Sequence, residues 1–172
     1  MKKNIIMRFR DLITEDDGTI NDHLDLLTIY GEVWWGWWMR QYEKPPRDLF
    51  KNMSNQIDSD NVVKGFLFNT GNSKFYETKI SRILVAPVNN KIGTPDPELS
   101  PSYYHRGQYP AWFLLTNIKE VDFTQLKLVY DSFPTRPDLT DKLNSYVNNE
   151  VRSLEELRNI DVTLWVVRIL QS

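Results

Sequence analysis

The chain has 172 residues, 41% of them hydrophobic and 26% charged, which is the composition of a globular protein. A net charge of −2 argues against a broad electrostatic grip on a nucleic-acid backbone, although it leaves room for a local basic patch. The lack of cysteine excludes disulfides, thiolate nucleophiles and cysteine-based zinc sites. With no signal-peptide core and no membrane-length apolar run, we expect one cytoplasmic domain over residues 1–172 that binds no membrane.

The N-terminal quarter predicts a strand, a helix and a second strand. Residues 4–13 alternate imperfectly between apolar and polar, and a short turn follows them. Asn21 is a candidate N-cap for a helix that ends before Gly31. A helix made from EVWWGWWMR, residues 32–40, would be apolar on every face. We therefore predict that this segment is a strand.

The middle of the chain predicts a helix, a hairpin and a long loop. The helix covers residues 44–57, and the hairpin covers residues 61–88 around a turn in which Gly71 and Asn72 tolerate a positive φ. Residues 89–110 are rich in Pro, Gly, Asn and Ser. A loop of this length in a small domain is often functional.

The C-terminal part predicts two or three further strands and short helices. They comprise a strand at 111–123, a short strand with loop at 124–140, a helical segment at 138–150, a helix capped by Ser153 and a closing strand at 160–170. The total is about six or seven strands with three or four short helices. We expect an α+β fold with a small mixed, barrel-like sheet.

The tryptophan segment allows two interpretations. As a strand it places Trp35 and Trp37 on one face, with apolar neighbours typical of a core. Trp34, Gly36 and Trp38 lie on the other face. In the first interpretation all four indoles are core. In the second, Gly36 has no side chain, so the strand surface between Trp34 and Trp38 is open and a flat ligand stacks there.

The long loop supplies a second group of candidate residues. Tyr103, Tyr104, His105 and Arg106 place aromatic rings, a proton donor and a fixed cation close together. Such residues suit stacking on a base and pairing with a phosphate or carboxylate. The alternative is a loop whose tyrosines only anchor it to the sheet.

The sequence gives little support for a catalytic or metal-binding motif. No P-loop, dinucleotide-binding glycine motif, zinc-protease motif or nucleophile elbow is present. His23 between Asp22 and Asp25 invites a metal interpretation, but an acidic first helical turn explains the carboxylates equally simply. The glutamates, Glu43 among them, are scattered and are expected to be solvated. We predict no metal and no cofactor.

The order of parts resembles the PUA-like superfamily, especially its EVE, YTH and ASCH types. The resemblance is carried by four segments in sequence order: WWGWW after an early helix, NVVKGFLFNTGNSKFYETKISRI, QYPAWFLLTNIKEV and SLEELRNIDVTLWVVR. It implies a small mixed barrel with inserted helices that holds a nucleobase in an aromatic pocket. It also implies that Trp34, Trp38 and the loop from Tyr103 to Arg106 are the first candidates for base contact.

Three functional hypotheses follow. The first is a non-catalytic domain that recognises a nucleobase, nucleotide or nucleic acid, modified or not, with Arg40 or Arg106 contacting phosphate. By the resemblance, it would be the sensor of a defence or restriction system with a nuclease or ATPase partner. The second is a protein-interaction or inhibitory subunit using an exposed aromatic patch. The third is an enzyme with His105 as acid or base.

Overall fold

Seven strands form one mixed sheet in a computed structural model, which describes residues 3–59 and 63–170. The strands are β1 (Asn4–Phe9), β2 (Val33–Trp37), β3 (Val63–Asn69), β4 (Phe75–Val85), β5 (Ala111–Val121), β6 (Leu128–Ser132) and β7 (Leu164–Ile169). Their order is β2-β5-β4-β3-β1-β7-β6. The β1–β3 pair is parallel and the other neighbours are antiparallel. The predicted α+β class is confirmed.

The sheet curls without closing. Three strands separate β1 from β2 in the hydrogen-bonded order, yet the Phe9 and Trp35 rings meet edge to face with their centroids 5.2 Å apart. Within the described residues, no ladder joins the edge strands β2 and β6. The sheet is therefore barrel-like, as predicted, with β1 and β2 brought together by side chains alone.

Four α-helices are found among the described residues. They are α1 (Gly18–Tyr30), α2 (Arg47–Asp58), α3 (Pro137–Thr140) and α4 (Leu154–Asn159). In residues 3–59 and 63–170, no helix has the length and apolar character needed to cross a membrane.

Two cores lie on opposite faces of β1, because alternate strand residues point to opposite sides of the sheet. Ile5 and Met7 point into an inner core, which includes residues of α1 and α2. Ile6 points into an outer core beneath α4, whose Leu157 is fully buried. The tryptophan segment follows the same rule, since Trp35 and Trp37 are buried in the inner core as predicted.

Helix α1 begins earlier than Asn21, so the predicted N-cap is wrong. The carboxylate of Asp11, in the loop after β1, accepts the N–H groups of Asp17 and Thr19 at 3.1 Å. The cap therefore comes from a residue distant in sequence rather than from the helix's own first polar residue. The predicted C-terminal signal is confirmed, because Gly31 has a φ of 79° and donates its N–H to Leu27.

The central hairpin forms from β3 and β4, as predicted, although Asn61 and Val62 of the predicted range lie outside the described residues. In its turn the positive φ belongs to Ser73, at 64°, and not to Gly71 or Asn72. The side-chain oxygens of Asn69 and Asn72 accept the N–H groups of Gly71 and Lys74, which fixes this turn locally.

The C-terminal predictions hold in outline. The segment 124–140 mixes strand β6 with loop, and Ser153 Oγ accepts the Glu156 N–H at 3.0 Å as the predicted cap of α4. The predicted helix at 138–150 is broken instead into the end of α3 and the two short 3-10 turns Leu143–Ser145 and Val147–Asn149.

Candidate functional site

A cleft of about 580 Å³ opens where β1 approaches β2. We call it the aromatic cleft, because seven ring-bearing side chains line it: Phe9, Trp35, Trp37, Trp38, Tyr103, Tyr104 and Tyr109. Four arginines also line it: Arg8, Arg10, Arg40 and Arg158. None of the described lining residues carries a carboxylate or carboxamide. A protein with a net negative charge therefore presents a positively charged aromatic wall here.

Four of the predicted site residues line this cleft, namely Gly36, Trp38, Tyr103 and Tyr104. Three do not, namely Trp34, His105 and Arg106. The structure thus joins the two candidate regions of the sequence at one place, but only in part.

The predicted strand over residues 32–40 ends at Trp37, so Trp38 leaves the sheet. Trp38 stays 54% exposed at the cleft, whereas Trp34 is 2% exposed and packs with Tyr104 and Trp112. The expectation that Trp34 and Trp38 wall one gap on a single strand face is therefore wrong.

Gly36 allows a close approach, but the group that approaches belongs to the protein. A Cβ added at Gly36 would lie 3.0 Å from a Tyr109 ring carbon and 3.1 Å from a Trp112 ring carbon. The strand surface at Gly36, which the sequence predicts to be open, is therefore covered by the rings of Tyr109 and Trp112. Glycine at this position lets the loop that carries Tyr109 pack directly onto β2.

That loop is held in place by several contacts. The indole N–H of Trp112 donates to the Ile92 carbonyl at 3.0 Å. His105 Nε2 lies 2.9 Å from the Pro97 carbonyl and 3.1 Å from the Ser100 carbonyl. Both of these groups are acceptors, so Nε2 must carry the proton. His105 thus fixes the loop internally, through two of the loop's own carbonyls.

The two neighbouring tyrosines form the inner wall of the cleft. The Tyr103 and Tyr104 rings lie 4.5 Å apart, and the Tyr104 hydroxyl lies 3.5 Å from the Gly36 carbonyl. Burial raises the pKa of both phenols above the usual value. Both phenols are therefore neutral at neutral pH.

His23 supports this wall from behind. Its ring lies 4.6 Å from Trp35 and 5.7 Å from Tyr104, and its Nδ1 lies 2.8 Å from the Thr19 carbonyl. Complete burial lowers the pKa of His23 to about 4, against smaller opposing effects of the Thr19 and Trp34 carbonyls. The imidazole is therefore neutral.

The metal interpretation of this segment is not supported. Within residues 3–59 and 63–170, no three His, Cys, Asp or Glu side chains form a group able to hold a metal ion. Because α1 begins at Gly18, Asp22 and Asp25 also lie beyond the first helical turn, so the expectation of an acidic first turn is wrong.

Glu43 does not line the cleft, but it bonds to Arg40, which does, and sequence reasoning misses this role. The sequence predicts a solvated side chain, whereas Glu43 is 3% exposed. Its carboxylate accepts the N–H groups of Arg40 and Thr163 at 2.9 Å and the hydroxyls of Thr135 and Thr163. Glu43 therefore joins the segment after β2 to the start of β7. In doing so it fixes the rim of the cleft that carries Trp38.

Three buried polar groups of cleft-lining residues have no hydrogen-bond partner among the described residues. They are Arg8 Nε, Trp37 Nε1 and the Tyr103 hydroxyl. The two nitrogens can only donate, whereas the hydroxyl can donate or accept. Buried polar groups are normally satisfied, so these three distinguish the cleft lining from an ordinary protein interior.

Comparison with known proteins gives one match. A family model described as Pua-like matches residues 5–172, nearly the whole chain. Neither a curated protein nor a solved structure matches the chain significantly.

Proposed function

This chain belongs to the PUA-like family, and from that premise we propose that its aromatic cleft recognises a nucleobase without catalysing a reaction. The match confirms the resemblance seen in the sequence, and that family suggests recognition of RNA or a nucleobase in general. The proposal rests on the walls of the cleft, where seven aromatic side chains surround a space of about 580 Å³. Ligand pockets usually measure roughly 300–1,000 Å³.

Trp38 is the residue proposed to stack on the base. It is half-exposed at the cleft and lies outside the sheet, so a ring can approach its face. Stacking on an aromatic side chain contributes roughly 1–3 kcal/mol per base.

The chemistry of the lining favours recognition over catalysis. Among the described residues, the cleft has no carboxylate or imidazole to act as general acid or base. His105, the residue of the enzyme hypothesis, lies outside it and bonds to loop carbonyls.

The finer assignment rests on the resemblance to EVE-type domains. In this assignment the protein is a cytoplasmic sensor of a modified base in a defence or restriction system. It acts together with a nuclease or ATPase partner. Co-purification of such an enzyme from the native source, together with tighter binding of a modified base than of its parent, would support it.

A protein-interaction surface is the second candidate. Leu12 and Ile13 are 79% and 74% exposed on the lining of the same cleft as Trp38. Tryptophan is enriched at binding hot spots, and the contacts around a hot spot exclude water from it. This candidate predicts a partner that stays bound after nuclease treatment and is lost in Leu12→Ser/Ile13→Ser.

Calorimetric titration with a panel of unmodified and methylated nucleosides tests the proposal. Calorimetry is needed because replacing Trp38 also removes its fluorescence. At least one nucleoside should bind the wild type and lose about tenfold or more in affinity with Trp38→Ala. Tyr30→Ala is the control, since Tyr30 is about as exposed but lies outside the cleft. If no nucleoside binds, the proposal is contradicted.

A further inference from the structure

We propose that Arg8 and Arg10 form a phosphate subsite at the edge of the aromatic cleft, so that its ligand is a phosphorylated nucleotide rather than a bare base. This inference rests on the proposed function, because the base would occupy the aromatic part of the same cleft. The subsite differs from the Arg40 and Arg106 positions expected from the sequence.

The end of β1 places the two arginines. Phe9 is the last residue of β1 and packs on Trp35 in the direction of the inner core. Arg8 and Arg10 flank it in sequence, and both line the cleft. The ring and both cations thus reach the cleft from three consecutive residues.

Arg8 is a half-buried cation without a carboxylate partner among the described residues. Its Nη2 donates to the carbonyls of Ile160 at 2.6 Å and Leu157 at 3.2 Å, at the C-terminal end of α4. No carboxylate of the described residues lies within 4 Å of the guanidinium, and Nε makes no hydrogen bond. Taking part of the guanidinium out of water has a cost that an opposite charge would offset.

The electrostatics of Arg8 lead to the same conclusion. Burial and, second, the positive charge of Arg40 lower the pKa of Arg8 to about 10, although Asp161 and Glu43 oppose this from beyond ion-pair distance. A guanidinium whose charged form is disfavoured gains from a bound anion. Arg8 stays protonated at neutral pH and able to bind one.

The other two arginines of the cleft already have counter-charges. Arg40 pairs with Asp161, and Arg158 pairs with Glu155. Arg10 is exposed and has no ion pair within residues 3–59 and 63–170. The uncompensated positive charge of the cleft therefore lies at Arg8 and Arg10.

A phosphate is the anion that fits this arrangement. Guanidinium groups bind phosphate oxygens through paired N–H donors. A nucleotide carries such a group on the same molecule as a flat ring, so one ligand satisfies both parts of the cleft. The phosphate can belong to a free nucleotide or to a nucleic-acid strand, and the contacts are the same in both.

The test compares matched ligands by calorimetry. It measures the dissociation constants of adenosine, guanosine, cytidine and uridine, of their 5′-monophosphates, and of a single-stranded hexanucleotide that contains the best base. For that base, the monophosphate should bind the wild type about tenfold more tightly than the nucleoside at low salt, and the gain should shrink as salt is raised.

Arg10→Gln is the informative variant, because Arg10 is exposed whereas Arg8 also supports α4. It should remove most of the gain from the phosphate while leaving nucleoside binding unchanged. Arg82→Gln is the matched control, since Arg82 is an exposed arginine of β4 that does not line the cleft. It should leave both affinities unchanged.

The outcomes separate this inference from the proposed function. Equal binding of nucleoside and monophosphate, or an unchanged gain in Arg10→Gln, would overturn the subsite and leave base recognition standing. Absence of nucleoside binding would overturn base recognition, and the subsite with it. A preference for the hexanucleotide over the monophosphate identifies a strand as the phosphate source, and the reverse identifies a free nucleotide; both results support the subsite.

Discussion

Trp34 and Trp38 are four residues apart in sequence but lie in opposite environments. Trp34 is 2% exposed among Tyr104, Trp112 and Leu114, whereas Trp38 is 54% exposed at the rim of the aromatic cleft. The difference arises because β2 ends at Trp37, so that Trp38 no longer follows the alternation of the strand. One indole is therefore part of the packed interior, whereas the other is the exposed ring on which the proposed base stacking depends.

This difference predicts unequal effects of the same substitution. Trp34→Ala should lower the free energy of unfolding by about 3–5 kcal/mol, because it empties a packed aromatic site. Trp38→Ala should lower it by about 1 kcal/mol or less, because the indole is largely hydrated already. Urea denaturation of both variants measures the two values. Equal losses would show that the assigned environments are wrong.

Gly36 should be sensitive to the smallest addition. In Gly36→Ala the new methyl group would press on Tyr109 and Trp112, at 3.0 and 3.1 Å. We expect a loss of about 1–3 kcal/mol in stability, since the rings must shift to make room. Weaker nucleoside binding should accompany it.

Gly93→Ala is the control for that variant. A Cβ at Gly93 would meet only the Gly107 carbonyl, at 3.8 Å, which is ordinary contact. Thermal melting and calorimetry of both variants make the comparison. If Gly36→Ala is as stable as Gly93→Ala, the proposed packing of the loop on β2 is contradicted.

Replacing Glu43 should lower both the stability of the protein and its affinity for nucleosides. Glu43→Gln keeps the shape but replaces one acceptor oxygen by an NH₂ donor, which would face the donors of Arg40, Thr135 or Thr163. We expect a loss of about 1–3 kcal/mol from groups left unpaired. Nucleoside affinity should also fall, because the carboxylate fixes the segment that carries Trp38.

Glu98→Gln serves as the matched substitution, because Glu98 is exposed and lies outside the cleft. It should change neither the unfolding midpoint nor the dissociation constant. A Glu43→Gln protein indistinguishable from it would refute the role given to the buried carboxylate.

His23 should make stability depend on pH. Its pKa is lowered to about 4 in the folded protein, from an ordinary value of 6.5. Between these values the unfolded chain binds the extra proton, so the His23 contribution is complete above pH 6.5 and is lost as pH falls towards 4. The loss should total about 3 kcal/mol. His23→Phe should reduce the difference in unfolding free energy between pH 7 and pH 4 by that amount, and an unchanged difference would contradict neutral burial.

The sequence predicts much of the fold because its signals are local. A segment too apolar for a surface helix identifies β2, glycine ends α1 at Gly31, and a serine–glutamate pair starts α4. The errors arise where a distant residue replaces a local one. Asp11 caps α1 from the loop after β1, and so the N-cap expected at Asn21 is not used.

The cleft was less predictable because residues far apart in the chain build it. Arg8 donates to the Arg158 carbonyl across 150 positions, and Glu43 bonds to Thr163 across 120. No local pattern marks such partners. The sequence did indicate that Trp38 and the tyrosine loop belong together, but not that Trp34 packs inside or that Arg8 and Arg10 join them.

The most direct measurement is the calorimetric titration of the wild type and Trp38→Ala with the nucleoside panel, each protein first shown to be folded by its unfolding curve. At least one nucleoside should bind the wild type, and its affinity should fall about tenfold or more in Trp38→Ala, while Tyr30→Ala binds as the wild type does. Absence of nucleoside binding to the wild type, or equal binding to a folded Trp38→Ala protein, would contradict base recognition in the aromatic cleft.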